Sequence, residues 1–406
     1  MAPWQSGERL HPSRAMSSEE RLLLLLARGR LTDSMRAQAH SLLGQALSWP
    51  LLLQLAWMHG VTPLLYRHLR QLDFPDVPAA ALAELRAAYR RNALRNTLMV
   101  RELAEVMQRL GAVGVPVMPL KGVALAASLY GDPTLRVCGD IDILVPRPLV
   151  REAYQILQAM GYRGMFAEFM EASFQRLLLK TSVEYGLTRE KGGFRYLLEL
   201  HWGVFARAPS ERGVLDALWA EACTMPVFGV MAFQPSVEWT VLFLAVHAAR
   251  HQWRGLKWLS DIHELCTWTA VDWAKVRLQA ERVGWEKLVE LTLSACHTLF
   301  DTPIPPHFSS RSLPRWVPLF PADSLRTEAW QDVLAMTRLF KPPIAQWRYL
   351  LRLLLVPTVA ERQLIRFPCA LGVLYYPLRP LRLIVKYGWR FGASCLRPLR
   401  ETHSHR

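Results

Sequence analysis

Residues 119–148, PLKGVALAASLYGDPTLRVCGDIDILVPRP, hold two aspartates, Asp140 and Asp142, one residue apart in an apolar run. Side chains two apart on a strand share a face. Both carboxylates therefore project together, while Ile141, Ile143 and Val145 turn towards packing. Adjacent carboxylates raise one another's pKa unless a cation sits between them. Their oxygens suit Mg2+, and paired metal ions clamp the attacking and leaving oxygens of a phosphoryl displacement. A third acid is available in LLELHWGV, where Glu199 and His201 share a face and Leu198 and Leu200 take the other. Strand pairing would bring Glu199 beside the aspartates. The plainer alternative is a solvated D-x-D on an edge strand.

The texture around this stretch changes twice. Residues 1–99 read as helices: SSEERLLLLLARG has a capping serine with acids in its first turn, and DSMRAQAHSLLGQAL and PLLLQLAWMHGVTPLLYRHLRQL show helical apolar spacing. From Val115, VPVMPL reads as a strand, KGVALAASLYG as a helix of small residues, GDIDILV as a strand and RPLVREAYQILQAMGY as a helix. A hairpin follows, TSVEYGLTRE and FRYLLELHWGV around KGG. This is an α/β unit, expected over 100–210, inside a largely helical chain. A helical domain is expected over 211–310, followed by a basic, Pro/Arg/Leu-rich region over 311–406 with a proline-rich break at its start.

Three separated motifs carry a resemblance. PLKGVALAASLYGDPTLRVCGDIDILV, LELHWGVF and HAARHQWRGLKWLSDIHEL, in that order, resemble a family of bacterial nucleotidyltransferase-like proteins within the polymerase-beta-type superfamily. The resemblance implies an α+β fold, with a nucleotidyltransferase α/β core on a small mixed sheet embedded in helical segments. It implies Asp140, Asp142 and Glu199 as ligands of two Mg2+ ions, with Glu199 also in reach of a general-base role. Lys121 and Gly122 stand where the superfamily usually has Gly-Ser, whose amides and hydroxyl hold nucleotide phosphates. Val123 and Ala124 follow, so the hydroxyl is missing. A helix N-terminus still offers N–H groups to an anion, and Lys121 adds charge. Arg136 and His201 are further candidates for contact with the nucleotide; a surface salt bridge is the plainer role for Arg136.

The activity implied is transfer of a nucleotidyl group from an NTP to an acceptor that is a small molecule, glycan, peptide or RNA. Relatives occurring beside exopolysaccharide or peptide natural-product genes suggest the setting. The competing reading is an accessory protein that keeps the fold without turnover. GxxxxGK[ST] and GxGxxG are both absent, which disfavours a P-loop ATPase or a Rossmann dehydrogenase.

His247 and His251 stand four apart on one helical face. That spacing can bind zinc, but alanine replaces the glutamate of HExxH, and beyond Asp261 or His263 no further ligand suggests itself. A polar cluster of His247, His251, Lys257 and Asp261, packed between the helices and the α/β unit, is the leading expectation. Trp253 and Trp258 read as core.

With 406 residues and 51% apolar content, two or three packed units are expected. The six scattered cysteines fit reduced thiols in a cytosol. No apolar run reaches the length of a span, and RLLLLLARGR lacks the basic flank of a signal peptide. Of the net charge of +15, +10 lies in residues 341–406, where 12 basic residues face only Glu361 and Glu401. Such a tail, rich in leucine and aromatics, points to a cytoplasmic protein held peripherally at the anionic inner face of a membrane; the plainer alternative packs these helices on the core with only their arginine heads in solvent.

Overall fold

The computed structural model describes residues 16–73, 76–164, 178–179, 182–204, 211–309, 313 and 343–396. The proline-rich stretch 313–323, apart from Leu313, and residues 397–406 lie outside them.

Four short helices open the chain: α1 (Ser18–Leu26), α2 (Asp33–Leu43), α3 (Trp49–Met58) and α4 (Thr62–Gln71). Ser17 and Glu20 form a capping box at α1, each side chain taking the other's backbone N–H. The apolar run 50–72 does not continue as one helix, because it turns at Gly60 with φ +68°. A 33-residue helix, α5 (Ala79–Gly111), then runs for about 50 Å.

The α/β unit follows as β1 (Met118–Pro119), α6 (Gly122–Tyr130), β2 (Ile141–Leu144), α7 (Val150–Ala159), β3 (Arg163–Gly164), β4 (Glu184–Lys191) and β5 (Phe194–His201). The sheet is mixed, in the order β1-β2-β5-β4-β3, with β2 and β5 parallel and the other pairs antiparallel. This is the α+β architecture expected, a small mixed sheet within a mostly helical chain. The parallel register sets Asp142 directly opposite Glu199.

After α8 (Glu211–Ala220), a second hairpin, β6 (Cys223–Val227) and β7 (Val230–Gln234), interrupts what sequence reading treats as continuous helix. Pro226 and the exposed Met225 and Met231 hide its strand pattern. Phe233 N–H donates to Val117 O at 2.9 Å and ties this hairpin to the chain just ahead of β1. Helices α9 (Val237–Arg250), α10 (Leu256–Trp268), α11 (Trp273–Val283) and α12 (Glu286–Phe300) complete the shell. They share one apolar core with α1–α4 and the start of α5, through residues such as Leu22, Leu65, Leu85, Leu242 and Val289. A second core lies between the far half of α5, the sheet and α7, around Val106, Ile143, Tyr154 and Leu198.

Candidate functional site

The site is built where β1 hands over to α6. Leu120 N–H donates to Asp142 O at 3.1 Å, and Lys121 follows as the residue capping α6. Gly122 opens the helix at φ +68°, and a Cβ there would lie 3.3 Å from Asp140 O. A glycine is what allows the chain to turn so sharply against the Asp140 backbone. The loop between α6 and β2 is fixed from α5. Asn92 donates to Thr134 O at 2.7 Å, and Asn96 donates to Pro133 O and Arg136 O at 2.6 and 2.8 Å. These two buried amides thereby set the approach of Asp140.

Lys121 Nζ lies among three carboxylates, 3.0 Å from Asp142 Oδ1, 3.7 Å from Asp140 Oδ2 and 4.0 Å from Glu199 Oε2. On β5, His201 Nε2 donates to Asp142 Oδ1 at 3.0 Å and lies 3.3 Å from Glu199 Oε2. Its Nδ1 faces Glu184 Oε2 at 3.4 Å, and the other oxygen of Glu184 meets Arg250 Nη2 at 3.5 Å. The sheet thus gathers Lys121, Asp140, Asp142, Glu199 and His201 into one cluster. Glu184 and Arg250 are the members that sequence reading did not assign. Glu184 faces His201 across the β4–β5 ladder, so its place follows from the hairpin register.

Electrostatics holds this cluster together. Burial alone would drive Lys121 towards neutrality, but Asp142, Asp140 and Glu199 reverse that and raise its pKa. Burial works against a charged His201 too, yet its hydrogen bonds to Asp142 and Glu199 push its pKa up to about 9. Lys121 and His201 thus face three acids, Asp140, Asp142 and Glu199, with Glu184 and Arg250 paired beside them. Asp142 Oδ2 is buried with no hydrogen-bond partner. One ligand atom each from Asp142, Glu199 and His201 can be chosen within 4.8 Å of one another, and this is the one such group among the described residues. An anionic, under-satisfied oxygen cluster fits a divalent cation. A protonated His201 fits the role of a donor that orients the carboxylates better than that of a ligand.

Arg136 has other partners. It is 5% exposed, and its Nε donates to Asp261 Oδ2 at 2.8 Å, while Tyr130 Oη donates to Asp261 Oδ1 at 2.9 Å. Asp261 outweighs the burial and keeps the guanidinium charged. The pairing is a salt bridge, as the plainer expectation had it, but an inner one rather than a surface one.

The rest of SDIHEL is bound in the same way. Ser260 Oγ donates to Ala27 O at 2.6 Å, Glu264 accepts from Gly29 N–H at 2.6 Å, and His263 Nδ1 pairs with Thr302 Oγ1 at 2.8 Å. Asp261 and His263, the further zinc ligands weighed from sequence, are thus polar fasteners between α10 and its neighbours, as are Ser260 and Glu264.

His247 and His251 touch ring to ring at 4.8 Å, and His251 stacks on Trp258 at 4.1 Å. Lys257 lies over the Trp258 ring, so the expected grouping of Asp261 with these histidines gives way to the Arg136 pair. His247 is held well below its ordinary pKa by burial and then by the positive charge of Lys121. The end of α9 therefore borders the carboxylate cluster. Trp253 is core, its indole donating to Thr292 Oγ1 at 2.8 Å.

Residues 45–301 match the model of a family described as uncharacterised nucleotidyltransferase. Comparison with curated proteins and with solved structures gives no match.

Proposed function

Because this chain belongs to the uncharacterised nucleotidyltransferase family, we propose that it transfers a nucleotidyl group from an NTP to a hydroxyl or phosphate acceptor in a Mg2+-dependent reaction. The observation that carries the reading is the convergence of Asp140, Asp142 and Glu199 beside the N-terminus of α6. Asp140, Asp142 and Glu199 would hold the metal ions, which when bound neutralise phosphate charge and polarise the reacting oxygens. Lys121 pairs with triphosphate oxygens, aided by the N–H groups that open α6. Glu199, with about a quarter of its side chain open to solvent, serves as general base for the acceptor's proton. His201 holds Asp142 and Glu199 in orientation. Following the family resemblance, the acceptor belongs to exopolysaccharide or peptide natural-product biosynthesis.

A second reading, an accessory protein without turnover, is favoured by one observation. Lys121 already serves as a cation for all three carboxylates, so the cluster is balanced in part by the chain itself.

The experiment is incubation with each α-32P-labelled NTP, Mg2+ or Mn2+, and cell extract fractionated into small molecules, glycans, peptides and RNA. Label moving to one fraction, and lost in Asp142→Asn, is the expected result. Full-length, folded protein that binds no NTP and labels nothing would leave the accessory reading standing and remove the enzymatic one.

A further inference from the structure

The end of the chain carries a surface that the carboxylate chemistry does not use. Helices α13 (Pro343–Leu355), α14 (Val359–Leu364) and α15 (Tyr375–Leu396) form it, with a short 3-10 helix over Cys369–Leu374. Globular helices turn their apolar stripe inward; these turn one outward. On α13, Trp347, Leu351, Leu354 and Leu355 are exposed, with spacings that bring them onto one face. On α15, Leu381, Ile384 and Val385 do the same, at 59%, 66% and 76% exposure. Leu364, Ile365, Leu371, Val373 and Leu374 extend the patch between them. Among the described residues, thirteen of the 22 exposed large apolar side chains fall within residues 347–385, whereas those elsewhere are scattered. Such a concentration marks an interaction surface.

The sequence of this segment is strongly basic. Glu361 is the single acid between residues 341 and 400, and it is fully buried. It accepts from Arg379 Nη1 at 3.0 Å and from Arg382 Nε at 2.5 Å, a clasp that pins α14 to α15. Arg352, Arg366 and Lys386 are exposed along the surface, and the sequence adds Arg390, Arg397, Arg400 and Arg406. No described helix is long and apolar enough to cross a membrane.

We infer that this face lies on an anionic lipid bilayer, its leucine, isoleucine, valine and tryptophan side chains entering the interface and its arginines meeting headgroup phosphates. An apolar stripe with basic neighbours is the composition of a helix that lies in the plane of a membrane. Each Lys or Arg near such a surface strengthens binding about five-fold. Association of two copies through this face would bring two segments of net positive charge together. A nucleic-acid groove would present polar and stacking groups in place of Leu381, Ile384 and Val385.

The test is co-sedimentation of the full chain with vesicles of phosphatidylcholine alone or with 30% phosphatidylglycerol, at low and high salt, with light scattering without lipid. Binding at least ten-fold tighter to the anionic vesicles, weakened by salt, is expected. The triple variant Leu381→Ser, Ile384→Ser, Val385→Ser should lose ten-fold or more with an unchanged thermal midpoint, since these side chains are already in water. Asp142→Asn should bind vesicles normally, which separates this inference from the catalytic reading. Failure to bind either vesicle, equal binding to both, or a lipid-free dimer that the triple variant dissociates would each overturn it.

Discussion

Replacing Lys121 with methionine keeps most of the side chain's bulk but removes the ammonium among Asp140, Asp142 and Glu199. Breaking a buried ion pair from one side commonly costs 3–5 kcal/mol. Asp140 and Glu199 keep 28% and 27% of their side chains in water, so a smaller loss, about 2 kcal/mol, is expected. Added Mg2+ or Mn2+ should recover part of it. Urea denaturation with and without the metal measures both, and an unchanged midpoint would mean that the ammonium does not balance the cluster. At this scale the sequence was partly readable. Period-two alternation places Asp140 and Asp142 on one face, and both approach Lys121. That Lys121 reaches back between them depends on the turn into α6, and spacing alone does not specify a turn. Nor does the helical pattern of α10 name Arg136, 125 residues away, as the partner of Asp261.

At the scale of elements, the handover from β1 to α6 rests on Gly122. Alanine there would adopt φ +68° and press its Cβ to 3.3 Å from Asp140 O. Left-handed backbone costs an L-residue roughly 1–2 kcal/mol, and the crowding adds to that. Gly122→Ala should therefore lower stability by about 2 kcal/mol and impair nucleotide binding, with helix content unchanged by circular dichroism. Gly139→Ala, with nothing within 4 Å of the added Cβ, is the matched control and should be close to neutral. Equal effects of the two would show that the turn is not strained by a side chain. The elements of the α/β unit were legible because their periodicities are clean. The β6–β7 hairpin was not, since Pro226 and a largely exposed face erase the alternation. The parallel pairing of β2 with β5 is a long-range register, which local pattern cannot supply.

Over the whole molecule, buried neutral histidines set an acid limit. His59, His68 and His263 are 6%, 1% and 6% exposed. Burial lowers all three, His59 to about 4 and His263 to about 3. The unfolded chain takes up protons near the ordinary value of about 6.5, while the folded chain does not until far lower pH. Unfolded molecules then bind more protons, so what these three rings contribute to stability is full above about pH 6.5 and falls as pH drops towards 4. Each histidine contributes a slope of up to about 1.4 kcal/mol per pH unit. Thermal midpoints from pH 6.5 to 5 should decline, and His263→Gln should flatten the decline. A flat profile in the parent protein would contradict the burial of these rings.

Helix α5 has a consequence for how the molecule comes apart. Ala81 and Leu85 near its start belong to the helical core, and Met99 to Leu110 near its end belong to the core beneath the sheet. Neither core can melt without stripping packing from a helix that the other needs. The described residues from 18 to 309 should therefore unfold in one cooperative step rather than as two, with coincident far-ultraviolet and tryptophan transitions. The carboxylate cluster beside such a strut would also be a shared casualty. Damage to the outer helices, distant from Asp142, would be felt at the carboxylates through Asn92 and Asn96 before the fold is lost.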